Sequence, residues 1–208
     1  MKVAKVLALA GMLAVLPLSS AQATNLIVNP GFETPNLGGN PTYQFFMTDG
    51  LVGGWYSDIA PGFEIQANNI AGLPFQGTQL VELDSNQNSD ILQDVPTTPG
   101  LYYDLSFEYS PRPGQPASTN QIDIFWNGLS LGDIALPGGS QTNWMLISIN
   151  GLAASNGPTT TLKFLADGTS DSLGGYLDNV SVELVPEPAS MSLLGLGLAG
   201  LVARLRKR

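Results

Sequence analysis

Between Leu101 and Tyr109 every second residue is apolar: Leu101, Tyr103, Leu105, Phe107 and Tyr109 alternate with Tyr102, Asp104, Ser106 and Glu108. Side chains of an extended backbone point to opposite faces in turn, so this stretch reads as a strand with one buried face and one wet face. Ile122, Ile124 and Trp126 repeat the pattern around Asp123 and Phe125. The Asn127-Gly128 pair that follows suits the positive-φ positions of a tight hairpin into Leu129-Ser130-Leu131. Further strands are predicted at 26–28, 62–66, 79–83, 91–95, 133–136, 145–149, 160–166 and 175–184. Loops rich in Gly, Pro, Ser or Asn are expected at 36–41, 68–77, 111–118 and 168–174. Strands recurring about every ten residues, with no helical period except at the two ends, predict an all-β jelly-roll sandwich.

The ends are of another kind. Lys2 and Lys5 precede an apolar run over 6–18, and Ala21-Gln22-Ala23 is a small-x-small cleavage site, so residues 1–23 read as a signal peptide removed by signal peptidase. At the other end Pro186-Glu187-Pro188 leads into a Leu-, Gly- and Ala-rich run over 191–203, closed by Arg204, Arg206, Lys207 and Arg208. As a helix, 189–203 would be about 22 Å long, short of the roughly 30 Å of bilayer hydrocarbon. The basic end holds the chain on the side where it was made. This organisation leaves one domain of about 160 residues at 24–185, followed by a tail at 186–208.

The tail resembles the PEP-CTERM sorting signal of Gram-negative bacteria, also called the ice-binding protein C-terminal domain: the Pro186-Glu187-Pro188 triplet, the Gly/Leu-rich helix and the Arg-rich end stand in that order. The resemblance implies recognition by a membrane-embedded cysteine transpeptidase, exosortase. It also implies transient residence in the inner membrane and release of the upstream domain to the cell surface or extracellular matrix.

Charge narrows the partners. Six of the eight Lys and Arg residues lie in the two ends, which leaves 24–185 with Arg112 and Lys163 against sixteen acids. A surface near −14 repels nucleic acid and anionic lipid, whose binding draws on basic side chains neutralising phosphates. The chain has neither Cys nor His. Thiol nucleophiles, zinc thiolate sites and imidazole bases are thereby excluded.

Two segments frame the domain, Asn25-Leu26-Ile27-Val28-Asn29-Pro30-Gly31-Phe32-Glu33 and Gly174-Gly175-Tyr176-Leu177-Asp178-Asn179-Val180-Ser181-Val182. A strict period of two through the second puts Asp178 on one face with Tyr176, Val180, Val182 and Leu184. A carboxylate among apolar side chains needs a partner. Two answers are open: a hard cation such as calcium, held by Glu33, Asp178 and the backbone carbonyls of Asn29 and Gly31 with Glu82 or Asp84 as a third side chain, or hydrogen bonds from the backbone amides of the 30–33 turn. The same segments resemble those of galactose-binding-like jelly rolls, including several carbohydrate-binding modules. Looser similarity runs through Gly54-Trp55, Glu64-Ile65, the stretch 77–84, Gln93, the stretch from Pro99-Gly100 through Tyr102 to Phe107, and Trp144. That resemblance implies a structural Ca2+ joining the first and last segments, away from any sugar site, and an extracellular polysaccharide as partner.

Aromatic rings are the usual sugar platforms, and here core packing competes for them. Trp126 and Trp55 are expected in the core, while Trp144, Tyr102, Phe125 and Tyr56 are out of phase or unplaced. Glu82 and Asp84, two apart on a predicted strand, are a conceivable glycosidase pair. With so few cations to stabilise charge, the sequence favours a non-enzymatic protein that binds carbohydrate. A purely structural surface or matrix protein is the alternative.

Overall fold

The computed structural model describes residues 24–47 and 52–186. The signal peptide with Ala21 and Ala23, and the tail from Glu187 and Pro188 to Arg204, Arg206, Lys207 and Arg208, lie outside the described residues. Among those described no helix is long and apolar enough to cross a membrane.

Ten strands are described: β1 (Thr42–Phe46), β2 (Phe63–Ala67), β3 (Gln79–Glu82), β4 (Asp90–Pro96), β5 (Tyr102–Ser110), β6 (Ile122–Trp126), β7 (Leu129–Ile134), β8 (Met145–Ala153), β9 (Thr159–Ala166) and β10 (Tyr176–Leu184). They form a six-stranded sheet in the order β1-β2-β3-β10-β5-β8 and a four-stranded sheet in the order β4-β9-β6-β7. All recorded pairings are antiparallel. The predicted hairpin holds, with Asn127 at φ 53° and Gly128 at φ 75°. The two runs expected on either side of Gly132 are one strand, β7, with an irregularity in its pairing to β6.

The inner faces carry the residues whose alternation is visible in the sequence. Tyr103, Leu105, Phe107 and Tyr109 of β5 meet Ile122, Ile124 and Trp126 of β6 and Leu162 and Phe164 of β9 in one buried cluster. Phe107 and Phe164 pack edge to face with ring centroids 4.9 Å apart. Trp55 and Trp126 are both in this core, and each indole N–H finds a backbone carbonyl, of Asn29 and Ala153. Each large side chain buried here stabilises the sandwich by roughly 1.5–3 kcal/mol.

Three local expectations need correction. The segment 26–28 is not a strand. It runs beside β10 and gives it one main-chain bond, from the Leu26 amide to the Val182 carbonyl, but the Asn25 side chain bonds both the Val180 carbonyl and the Val182 amide in place of a ladder. Conversely β1, an edge strand at Thr42–Phe46, has three exposed residues at its centre and gave no buried alternation to read.

The third correction concerns β10. Asp178 pairs with Glu108, whereas Val182 pairs with Leu105, so the register slips by one residue between Asp178 and Ser181. Asn179, at φ 49°, lies in this bulge. The extra residue reverses the alternation. Leu177, Val180 and Val182 enter the core, while Tyr176 and Asp178 stand on the opposite, outer face with Ser110 and Glu108.

Candidate functional site

Register lines up one row of side chains across the outer face of the six-stranded sheet: Phe45 on β1, Glu64 on β2, Glu82 on β3, Tyr176 on β10 and Ser110 on β5. Tyr43 and Gln66 form the next row. Over this face lie the 68–78 loop, Arg112, and the turns around Ser85 and Ser172, enclosing a cavity of about 300 Å3.

The cavity floor is charged and buried. Glu82 takes hydrogen bonds from Arg112 Nη1, 2.6 Å to each carboxylate oxygen, from the Gly174 amide at 2.6 Å, and from Gln66 Nε2. The same Gln66 amide group donates to Glu64 Oε1 at 2.8 Å. Burial pushes Glu82 up to about 8 against the lowering by Arg112. Glu64 is also raised, again by desolvation first. Arg112 stacks over the Tyr176 ring, 5.8 Å from its centroid, and that phenol donates to the Ala71 carbonyl.

Gln66 Oε1 and Ser85 Oγ are buried beside this cavity with no hydrogen-bond partner. An unpaired buried acceptor costs about 1–3 kcal/mol, which a donor entering the cavity would recover. The wall is of opposite character. Tyr43 and Phe45, 51% and 38% exposed, pack edge to face at 5.4 Å, with Ile70 also on the rim.

The residues expected to hold a cation are assembled at the base of the 68–78 loop. Asp178, fully buried, accepts from the amides of Phe75 (2.9 Å) and Gln76 (3.1 Å) on one oxygen and from Asn179 (2.7 Å) on the other. Glu33 accepts from the Thr78 and Gln79 amides at 2.8 and 2.9 Å and from the Thr78 hydroxyl at 2.9 Å. Gly77 fits between them only as glycine: its φ is +63°, and a Cβ there would stand 2.1 Å from Glu33 Oε1. The donors to Asp178 belong to residues 75, 76 and 179, not to the 30–33 turn.

A carboxylate offers about four lone-pair positions, so three donors leave each acid about one for a cation. The Asn29 carbonyl is occupied by the Trp55 indole and the Phe32 amide. Gly31 adjoins Asp178, a Cβ built on it falling 3.4 Å from Oδ1. Glu82 is committed to Arg112, and Asp84 accepts from the Asp171 amide; no three acids come together as a metal cluster among the described residues. Burial, reinforced by the charge of Glu33, pushes Asp178 up to about 7 although its amide donors lower it.

Of the unplaced aromatics, Trp144 donates to the Leu73 carbonyl and packs near Phe75, while Tyr102 is exposed. Tyr43 and Phe45 were invisible as site residues because their strand was not legible. Glu64 and Gln66, two apart in a strand otherwise apolar, are the signal that could have found the floor.

Residues 184–207 match the PEP-CTERM protein-sorting motif, which marks the chain for export and sorting to the cell surface. The chain is 30% identical over 164 residues to the multifunctional-autoprocessing repeats-in-toxin of Vibrio cholerae, covering 78% of this chain but 3% of that protein. In fold it is similar to an apo cyclase from Fischerella sp. (TM-score 0.56, 15% identity, 81% of this chain and 100% of that one). The galactotriose-bound module TmCBM61 is a further neighbour, at TM-score 0.47 and 15% identity over 76% of this chain and 97% of that one.

Proposed function

We propose that the chain is exported, handled by exosortase through its tail, and delivered to the cell surface or extracellular matrix as a non-catalytic protein whose cavity over the six-stranded sheet binds a neutral saccharide of the surrounding polysaccharide. One observation carries this reading: an exposed aromatic wall, Tyr43 and Phe45, faces a floor that ends in the unpaired acceptor Gln66 Oε1 beside Glu64. Pyranose rings present an apolar face to aromatics and hydroxyl donors around their edge, and a small cleft with a few convergent polar groups suits them. Glu82 serves as scaffold, since Arg112, Gln66 and Gly174 already occupy it.

Glycan-array binding of the full chain, followed by calorimetry on any hit, tests the assignment. Tyr43→Ala and Gln66→Ala are each expected to weaken binding about tenfold or more, the loss of one stacking or hydrogen-bonding contact. Absence of binding to every glycan and to the producing cells' own exopolysaccharide would favour a purely structural protein. Release of reducing ends would make it a hydrolase instead.

A further inference from the structure

The outer face of the four-stranded sheet carries a second row of a different kind. Tyr56 exchanges two main-chain hydrogen bonds with Leu92, 2.7 and 3.0 Å, which extends the sheet by one position beyond β4. Leu92 pairs with Lys163, and Lys163 with Phe125. The row Tyr56–Leu92–Lys163–Phe125 therefore has an aromatic ring at each end, about 14 Å apart by three inter-strand steps. These four side chains, with Asp58, Thr161 and Leu165, line an open groove of about 510 Å3.

The middle of the row carries no uncompensated positive charge. Lys163 sends its ammonium to Asp90 (2.5 Å) and Asp58 (3.5 Å), which leaves its aliphatic stem along the face beside Leu92. Polar acceptors run alongside: Asp94 takes hydrogen bonds from the Tyr56 hydroxyl (3.3 Å) and Thr161 Oγ1 (2.6 Å), and Asp58 is exposed. The sole cation of the row is offset by Asp58 and Asp90, and Asp94 adds negative charge. A polyanionic chain is repelled, while a neutral chain rich in hydroxyl donors is complementary to rings flanked by carboxylates.

We propose that this face is a second saccharide-binding surface, on which a neutral polysaccharide chain lies flat across Tyr56 and Phe125, so that one domain bridges two chains. The bridging rests on the cavity assigned above; the second surface does not. Two sites on opposite sheets convert a binding domain into a cross-linker of the matrix it is delivered to.

The test uses the full chain in detergent micelles and soluble exopolysaccharide extracted from the producing cells, with bound protein and particle size by light scattering as separate readouts. Wild type should bind and enlarge the particles. Tyr56→Leu/Phe125→Leu should bind with about half the stoichiometry and leave particle size unchanged, and Phe125→Tyr, which keeps the ring, should behave as wild type. Leucine preserves apolar bulk, and an unchanged melting temperature certifies the fold. Glu64→Ala/Gln66→Ala should likewise retain half the binding without cross-linking. If the Tyr56/Phe125 variant binds and cross-links as wild type does, the second surface is overturned. If wild type binds without cross-linking, and binding is lost in that variant but intact in Glu64→Ala/Gln66→Ala, the second surface stands while the cavity reading and the bridging fall. No binding by any form overturns both.

Discussion

Asp178 on the last strand holds the amide of Phe75, 103 positions earlier in the chain, at 2.9 Å, and the neighbouring amide of Gln76 at 3.1 Å. A single buried carboxylate thus fixes the loop that walls the cavity over the six-stranded sheet, and Glu33 fixes the same loop two residues later through Thr78 and Gln79.

Asp178→Ala should therefore destabilise the protein by about 3 kcal/mol, because three backbone donors lose their acceptor in a dry site. It should also weaken saccharide binding by loosening Ile70 and Ala71. Urea denaturation and calorimetry measure the two effects, and a variant as stable as wild type would refute the clasp.

Acid should stabilise the fold on this residue's account. Folded Asp178 keeps its proton up to about pH 7, whereas the unfolded chain releases it near 3.8, the ordinary value of an Asp carboxyl. The folded state thus binds more protons between those values, so the stabilisation is complete below the lower one and is lost as pH rises to the upper. Unfolding midpoints of wild type should fall between about pH 4 and about pH 7, and Asp178→Asn should show a shallower fall. Parallel curves would mean that Asp178 titrates normally.

A calcium ion between Glu33 and Asp178 is proposed on electrostatic grounds, since each acid retains about one lone-pair position and their charges oppose each other. Calcium at a hundred times Kd should then add about 2.7 kcal/mol at neutral pH, a gain absent in Asp178→Asn. Superimposable melting curves in calcium and in chelator would leave the amide clasp as the whole explanation.

Arg112→Met should cost about 3–5 kcal/mol, because Glu82 would be left as an uncompensated buried acid. The double change Arg112→Met/Glu82→Gln should recover much of that loss. Thermal unfolding of the three variants provides the check. Additive losses would show that the pair is not coupled.

Sorting predicts a covalent change. Mass spectrometry of the surface-exposed protein should find the chain cut near 186–190, and a form still ending at Arg208 would point to retention as an anchor instead.

The sequence determined the inner faces of this protein, because burial on one side of a strand forces a period of two that the order of residues displays: β5 and β6 are readable residue by residue, as are the Asn127-Gly128 turn and the core role of Trp126. It also determined the sorting motif, whose triplet, apolar run and basic end are contiguous. What it left undecided lies where residues distant in the chain meet. The bulge at Asn179, one residue of slippage that no local pattern announces, moves Asp178 from the expected apolar face to the outer one and turns it toward the 68–78 loop. Only the pairing of β1, β2, β3, β10 and β5 puts Phe45, Glu64, Glu82, Tyr176 and Ser110 in one row, and only the pairing of Leu92 with Tyr56 and Lys163 brings Tyr56 into line with Phe125. Outer faces carry no periodic signal of their own, since water tolerates any polar residue there; their chemistry comes from strand order and register, which tertiary packing decides.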